Sequence, residues 1–182
     1  MSFDYSDNAL ISYFLPLLVA GLDAAGYTGV PVVQSYQPTM EGVPTTGVVY
    51  FQKIGNKRYG FLGRQDKWNV STSQMDHTEW QYFETTFQVS ALFRQNPYNP
   101  TYTASDLVNE AAWIMQSDVT REYLNGLGIG ILRVTDVINP FFVDDRDNFE
   151  ASPSFDFTLV YLNQRDSLLP VIDQFTAGIY PI

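Results

Sequence analysis

The chain has 182 residues and no cysteine, which removes disulfides, thiolate zinc sites and thiol nucleophiles. Its composition, 45% hydrophobic and 16% charged, excludes a disordered polymer, and one domain of this length buries roughly 70% of its unfolded surface. A net charge of −10 repels phosphate and argues against nucleic-acid binding as the main task.

The first element is expected at residues 7–25, where "ALISYFLPLLVAGL" supplies a helical core run. Asp7 suits the N-cap, and Gly26 suits the left-handed position past the last turn. Pro16 removes a backbone donor and should kink the helix or start a second piece. Apolar residues surround nearly every side, so cover on more than one face is expected. At 14 residues the run is too short to span a bilayer. The first basic side chain is Lys53, so no positive signal-peptide region precedes it. A soluble protein with no membrane partner is expected.

"VPVVQSYQ", "TGVVYFQKI" and "KRYGFLGRQDKW" follow as β-branched and aromatic runs between turn residues, the signature of strands. "IGNKR" offers a Gly-Asn hairpin turn between the second and third runs. "SQMDHTEW" reads as a polar loop carrying His77, the one histidine, with no Gly-x-Ser-x-Gly elbow to pair it with. "FETTFQVSALF" is the clearest strand, with Phe83, Thr85, Phe87, Val89, Ala91 and Phe93 on one side. A helix over 104–117 is marked by Thr103 as N-cap and Asp106 in the capping-box position. A short helix, "DVTREYLN", starts at Ser117 and stops at Gly126. Strands close the chain, in "IGILRVTDVI" and in the alternation running from Phe149 to Tyr161. The order predicts an α+β single domain, a mostly antiparallel sheet with helices on one face.

Candidate chemistry is sparse. "NGLGIGI" places its glycines after a helix and before a strand, the reverse of a phosphate loop. "DDRDNFE" gathers four carboxylates in one loop. Two-metal hydrolysis wants carboxylates on separate rigid elements with a histidine or lysine nearby, and the calcium-loop spacing is missed. A contact loop fits better, with a metal-dependent hydrolase using 144–150 as the enzymatic rival. No cofactor motif occurs. Charge is segregated: five of the ten basic residues lie in 53–67, and six acids lie between 136 and 156. That polarity suits head-to-tail self-association.

"FQVSALFRQNP", "TASDLVNEAAWIMQSD" and "INPFFVDDRDNFEASPSFDFTLVYLN" together resemble the neck, or tail, terminator family of tailed bacteriophages. The resemblance implies one tail-terminator-like domain over 1–182 and a structural virion protein rather than an enzyme. Such proteins form a ring, usually a homohexamer, that caps the tail tube and ends its growth. They meet the tail tube protein, the head–tail connector or adaptor and, in some tails, the sheath protein. DNA transits the channel without specific binding, and the ring assembles in the host cytoplasm. On this reading Asp144, Asp145 and Asp147, with Arg146 as an anchoring cation, form a contact loop for an adjacent subunit or neck protein. Lys53, Lys57, Arg58 and Arg64 are the candidate counterpart. Another adaptor or a tail-tube subunit would share this composition.

Overall fold

Four apolar residues at helical spacing, Leu10, Phe14, Leu18 and Leu22, form the buried stripe of helix α1 (Asp7–Ala24). A computed structural model describes residues 5–35, 47–93, 102–143 and 149–169. This stripe is fully buried, and Ile11, Tyr13, Leu15 and Leu17 on either side of it are partly buried against the same core, whereas Pro16 and Val19 are exposed. Pro16 does not end the helix. Ser6, not Asp7, is the N-cap, accepting from the Ala9 amide at 3.4 Å. Gly26 takes the expected left-handed conformation at φ 95°.

The sheet follows as β1 (Val32–Gln34), β2 (Val48–Asn69), β3 (Gln74–Leu92), β4 (Ile129–Val134) and β7 (Ser154–Leu169), in the order β1-β2-β3-β7-β4. Only β1 and β2 run parallel. Helices α2 (Ala104–Gln116) and α3 (Asp118–Gly126) join α1 over the sheet, giving the expected α+β architecture. A separate ladder joins β5 (Phe141–Val143) to β6 (Phe149–Ala151).

The core lies between these helices and one half of the sheet. Phe14 meets Phe51, Phe87 and Phe157, with ring centroids 5.5, 4.9 and 5.2 Å away. The alternation read in 83–93 is that core face: Phe87, Val89 and Ala91 are buried and register against Phe157, Phe155 and their neighbours on β7. Thr85 is buried in the same row, where it shares a 3.0 Å hydrogen bond with Tyr161.

Thr103 caps α2 as the sequence suggests. Its hydroxyl accepts from the Asp106 amide at 3.1 Å, and the Asp106 carboxylate accepts from the Thr103 amide at 2.8 Å. Thr103→Ala removes the hydroxyl that accepts from the Asp106 amide and should cost about 1 kcal/mol. In calorimetry that is a melting point lowered by roughly 2–4 °C, since a chain of this size moves that far per kcal/mol. An unchanged melt would show that packing alone holds this end of α2.

Four readings need correction. Gly55 and Asn56 make no turn: the two runs flanking them are one strand of 22 residues, and Gly55 sits at a register shift. The hairpin turn is instead at 70–73, where Asn69 Oδ1 accepts from the Ser71 amide at 3.1 Å and Ser73 takes φ 52°. Of the expected loop at 73–80, residues 74–80 instead begin β3, so His77 stands in a strand. The strand expected to begin at Phe149 is split, and the run from Ile129 pairs only to Val134, with a register shift between Ile131 and Arg133, followed by an isolated bridge at Ile138.

Candidate functional site: a three-stranded arm

β3 spans 19 residues, about 60 Å at 3.3 Å per residue, against a usual strand of about six residues. Only its second half is packed under the helices. Burial stops at Thr85 on β3 and at Tyr161 on β7. β1 pairs only with residues 49–51, and β4 only with 157–161. Beyond those points β2, β3 and β7 continue alone as a three-stranded arm with both outer edges free among the described residues.

Polar side chains hold the arm together because no core does. On the side continuous with the core, Arg64 meets Glu79 at 3.4 Å, and His77 lies between Asp66 and Glu79, reaching the latter at 3.3 Å. On the opposite side of the sheet a polar band begins behind the helix-packed half, where Ser35 donates to Gln52, Gln52 to Gln88, and Gln88 to Asp156, at 3.0, 2.9 and 3.2 Å. In the arm itself Thr78 donates to Asp166 at 2.8 Å. Each bond ties one strand to the next.

The His77 imidazole is pushed above its ordinary range, first by its hydrogen bond to Asp66 and then by that to Glu79. A raised value means that the folded arm favours the charged ring. Its contribution is therefore complete below the ordinary imidazole range, near about 6.5, and is lost as pH climbs through the raised value. Thermal melts should show the arm loosening across that window, with His77→Gln flattening the slope. An equal slope in His77→Gln would assign the effect to other groups.

All four candidate cations lie on β2, but each already has a partner in its own chain. Lys53 pairs with Asp7, Lys57 with Glu84 at 3.9 Å, and Arg64 with Glu79; Arg58 lies 5.8 Å from the Phe83 ring centroid. Lys57 and Arg64 nevertheless keep 74% and 68% of their side-chain surface exposed. Asp144, Asp145, Arg146 and Asp147 lie outside the described residues, between β5 and β6. Among the described residues no three His, Cys, Asp or Glu side chains form a metal-binding group, and no helix is long and apolar enough to cross a membrane.

Sequence reasoning missed the arm itself. Its most exposed apolar residues are Phe61, wholly in solvent, Val70 at the turn, and Tyr59, with Trp68, Tyr82 and Leu168 about half exposed. Isolated apolar residues on a surface are ordinary; here six of them lie on one element that extends beyond the core.

No curated protein matches the chain. Residues 9–171 match the family model described as E217 gateway protein gp29. That family is of the phage neck and tail type that the sequence resembles, and its description is that of a gateway protein. The chain is thus a member of the E217 gateway protein gp29 family, structural proteins of the phage head–tail junction.

Proposed function

We propose that this chain is the subunit of a ring, a homohexamer, seated where the phage tail meets the neck. The ring caps the last disc of the tail tube, ends its elongation and presents the docking surface for the head connector. DNA passes through its channel without specific binding. The tail tube protein lies below, with the sheath protein beside it where the tail has one. The domain of 1–182 is tail-terminator-like on this reading, and its place is the virion neck.

The arm carries this reading. Strands that outrun their own core leave polar edges and apolar side chains that a second copy can cover, and strands from several copies side by side can enclose a channel. The segregated charges support the same arrangement. Asp144, Asp145 and Asp147, with Arg146, are proposed to contact the basic strand of the next subunit or a neck protein. Lys57 and Arg64 are the best placed of the four cations, because most of their surface remains open.

Negative-stain imaging of Asp144→Lys/Asp145→Lys tests the charge part. Rings should be lost or much reduced while circular dichroism stays that of the folded chain. Rings at normal yield would remove the acidic loop from the contact. Filaments from the unaltered protein would identify a tube subunit instead.

A further inference from the structure

Phe61 is the most exposed large apolar side chain of the described residues, at 101% of its reference surface. The backbone is built to place it there. Between the pairs Tyr59–Tyr82 and Gly63–Trp80, β2 spends three residues, Gly60, Phe61 and Leu62, where β3 spends only Gln81. The resulting bulge is fixed at both ends. Gly60 turns the chain at φ 73°, a conformation glycine adopts without strain, and the Gln81 side-chain Nε2 donates to its carbonyl at 3.1 Å. Gly63 lies flat against the Trp80 indole, where any Cβ would come within 2.3–2.8 Å of the ring. Two glycines with separate steric reasons thus bracket one protruding aromatic residue.

Charge and position indicate what receives it. Residues 53–67 hold five cations and one acid, whereas the rest of the chain holds nineteen acids and five cations. The knob therefore sits in a basic belt, and a second copy presents mostly acidic surface. Across the sheet from β2, at the β4 edge, α3 packs against β4. Val119, Glu122 and Tyr123 share one side of α3 at helical spacing, with Val119 and Tyr123 exposed by 74% and 48%. This is an apolar strip beside a carboxylate. Along the sheet, Phe61 is level with Gln81, which registers with Asn163, two residues from the Tyr161 that pairs with Ile129, the first residue of β4 after α3.

We infer that Phe61, flanked by Leu62, is a knob that seats on the Val119–Tyr123 strip of α3 in the next copy of this chain. Opposite edges of one sheet then carry opposite halves of one contact, the requirement for head-to-tail closure of a ring. This inference rests on the ring reading and adds the residues that close it.

Sedimentation velocity over a range of concentrations tests it with the full chain, Phe61→Ser, and Val119→Ser/Tyr123→Ser. Both variants change exposed positions, so their melting curves should match that of the unaltered protein. Each variant alone should stay monomeric, with association weakened at least tenfold. Mixed, they should give a dimer and no ring, since one intact knob meets one intact strip. A variant that assembles like the parent overturns the knob-and-strip contact while leaving the ring intact. A parent chain that is monomeric throughout overturns the ring, and the contact with it.

Discussion

Phe14→Ala should cost about 3–5 kcal/mol, the largest loss expected from any single truncation of α1. The ring is fully buried and meets one aromatic residue on each of β2, β3 and β7, so its removal opens a cavity bounded by four elements. α1 precedes the sheet in sequence but packs over its centre, and Phe14 is where that docking is tightest. In calorimetry the melting point should fall by roughly 6–20 °C, at 2–4 °C per kcal/mol for a chain of this size. Val19→Ala, outside the buried stripe of the same helix, should move stability by no more than about 0.5 kcal/mol. Equal losses in the two variants would mean that α1 is held by something other than its buried stripe.

Gly63→Val acts on the arm and should leave the core melt nearly intact. A side chain at 63 collides with the Trp80 indole, which must leave its seat, and overpacking of this kind costs about 1–3 kcal/mol. The core is out of reach of that displacement, because the buried residues of β3 begin only at Thr85. Hydrogen exchange should therefore accelerate across 59–69 and 74–82 but not across 85–91. Tryptophan emission should shift toward that of solvated indole. Assembly should weaken with it, since the register that positions Phe61 is the one Gly63 maintains. Protection lost evenly along β3 would show that arm and core unfold as one unit.

These two substitutions divide the molecule along the line that separated legible from illegible sequence. Period-two alternation reports burial on one face, so Phe87, Val89 and Ala91 announced their strand, and Phe155, Phe157 and Leu159 announced its neighbour. Thr103 and Asp106 announced a helix start because a capping box is local chemistry. Residues 74–82 gave no such signal, since both faces of the arm are partly open and Met75, Trp80 and Tyr82 fall at both odd and even positions among polar residues. His77 consequently read as a loop residue. Gly55-Asn56 mimicked a hairpin turn because the dipeptide is a turn signal wherever it occurs, whereas here it marks a register shift within one strand. The true turn is made by Asn69 and three residues after Val70 that lack glycine, and only the Asx bond of Asn69 hinted at it. The charge segregation was legible, but the pairing of Lys53, Lys57 and Arg64 with their own chain was not. Those partners, Asp7, Glu84 and Glu79, are distant in sequence and meet the cations only through register and tertiary packing.

The arm also bears on how such a subunit could wait in solution without aggregating. Its free β2 edge carries Lys57, Arg58, Arg64 and Lys67 together with two register shifts, and both features obstruct casual strand addition. A partner must therefore match a bulged, basic edge, which favours the intended neighbour over any available strand.

Electron microscopy of the purified protein, alone and mixed with tail tubes, tests the central claim most directly. Closed rings of one size, found singly at the end of tubes that then stop growing, are what an arm built for neighbours of its own kind requires. Isolated monomers that leave the tube ends bare at every concentration would contradict it.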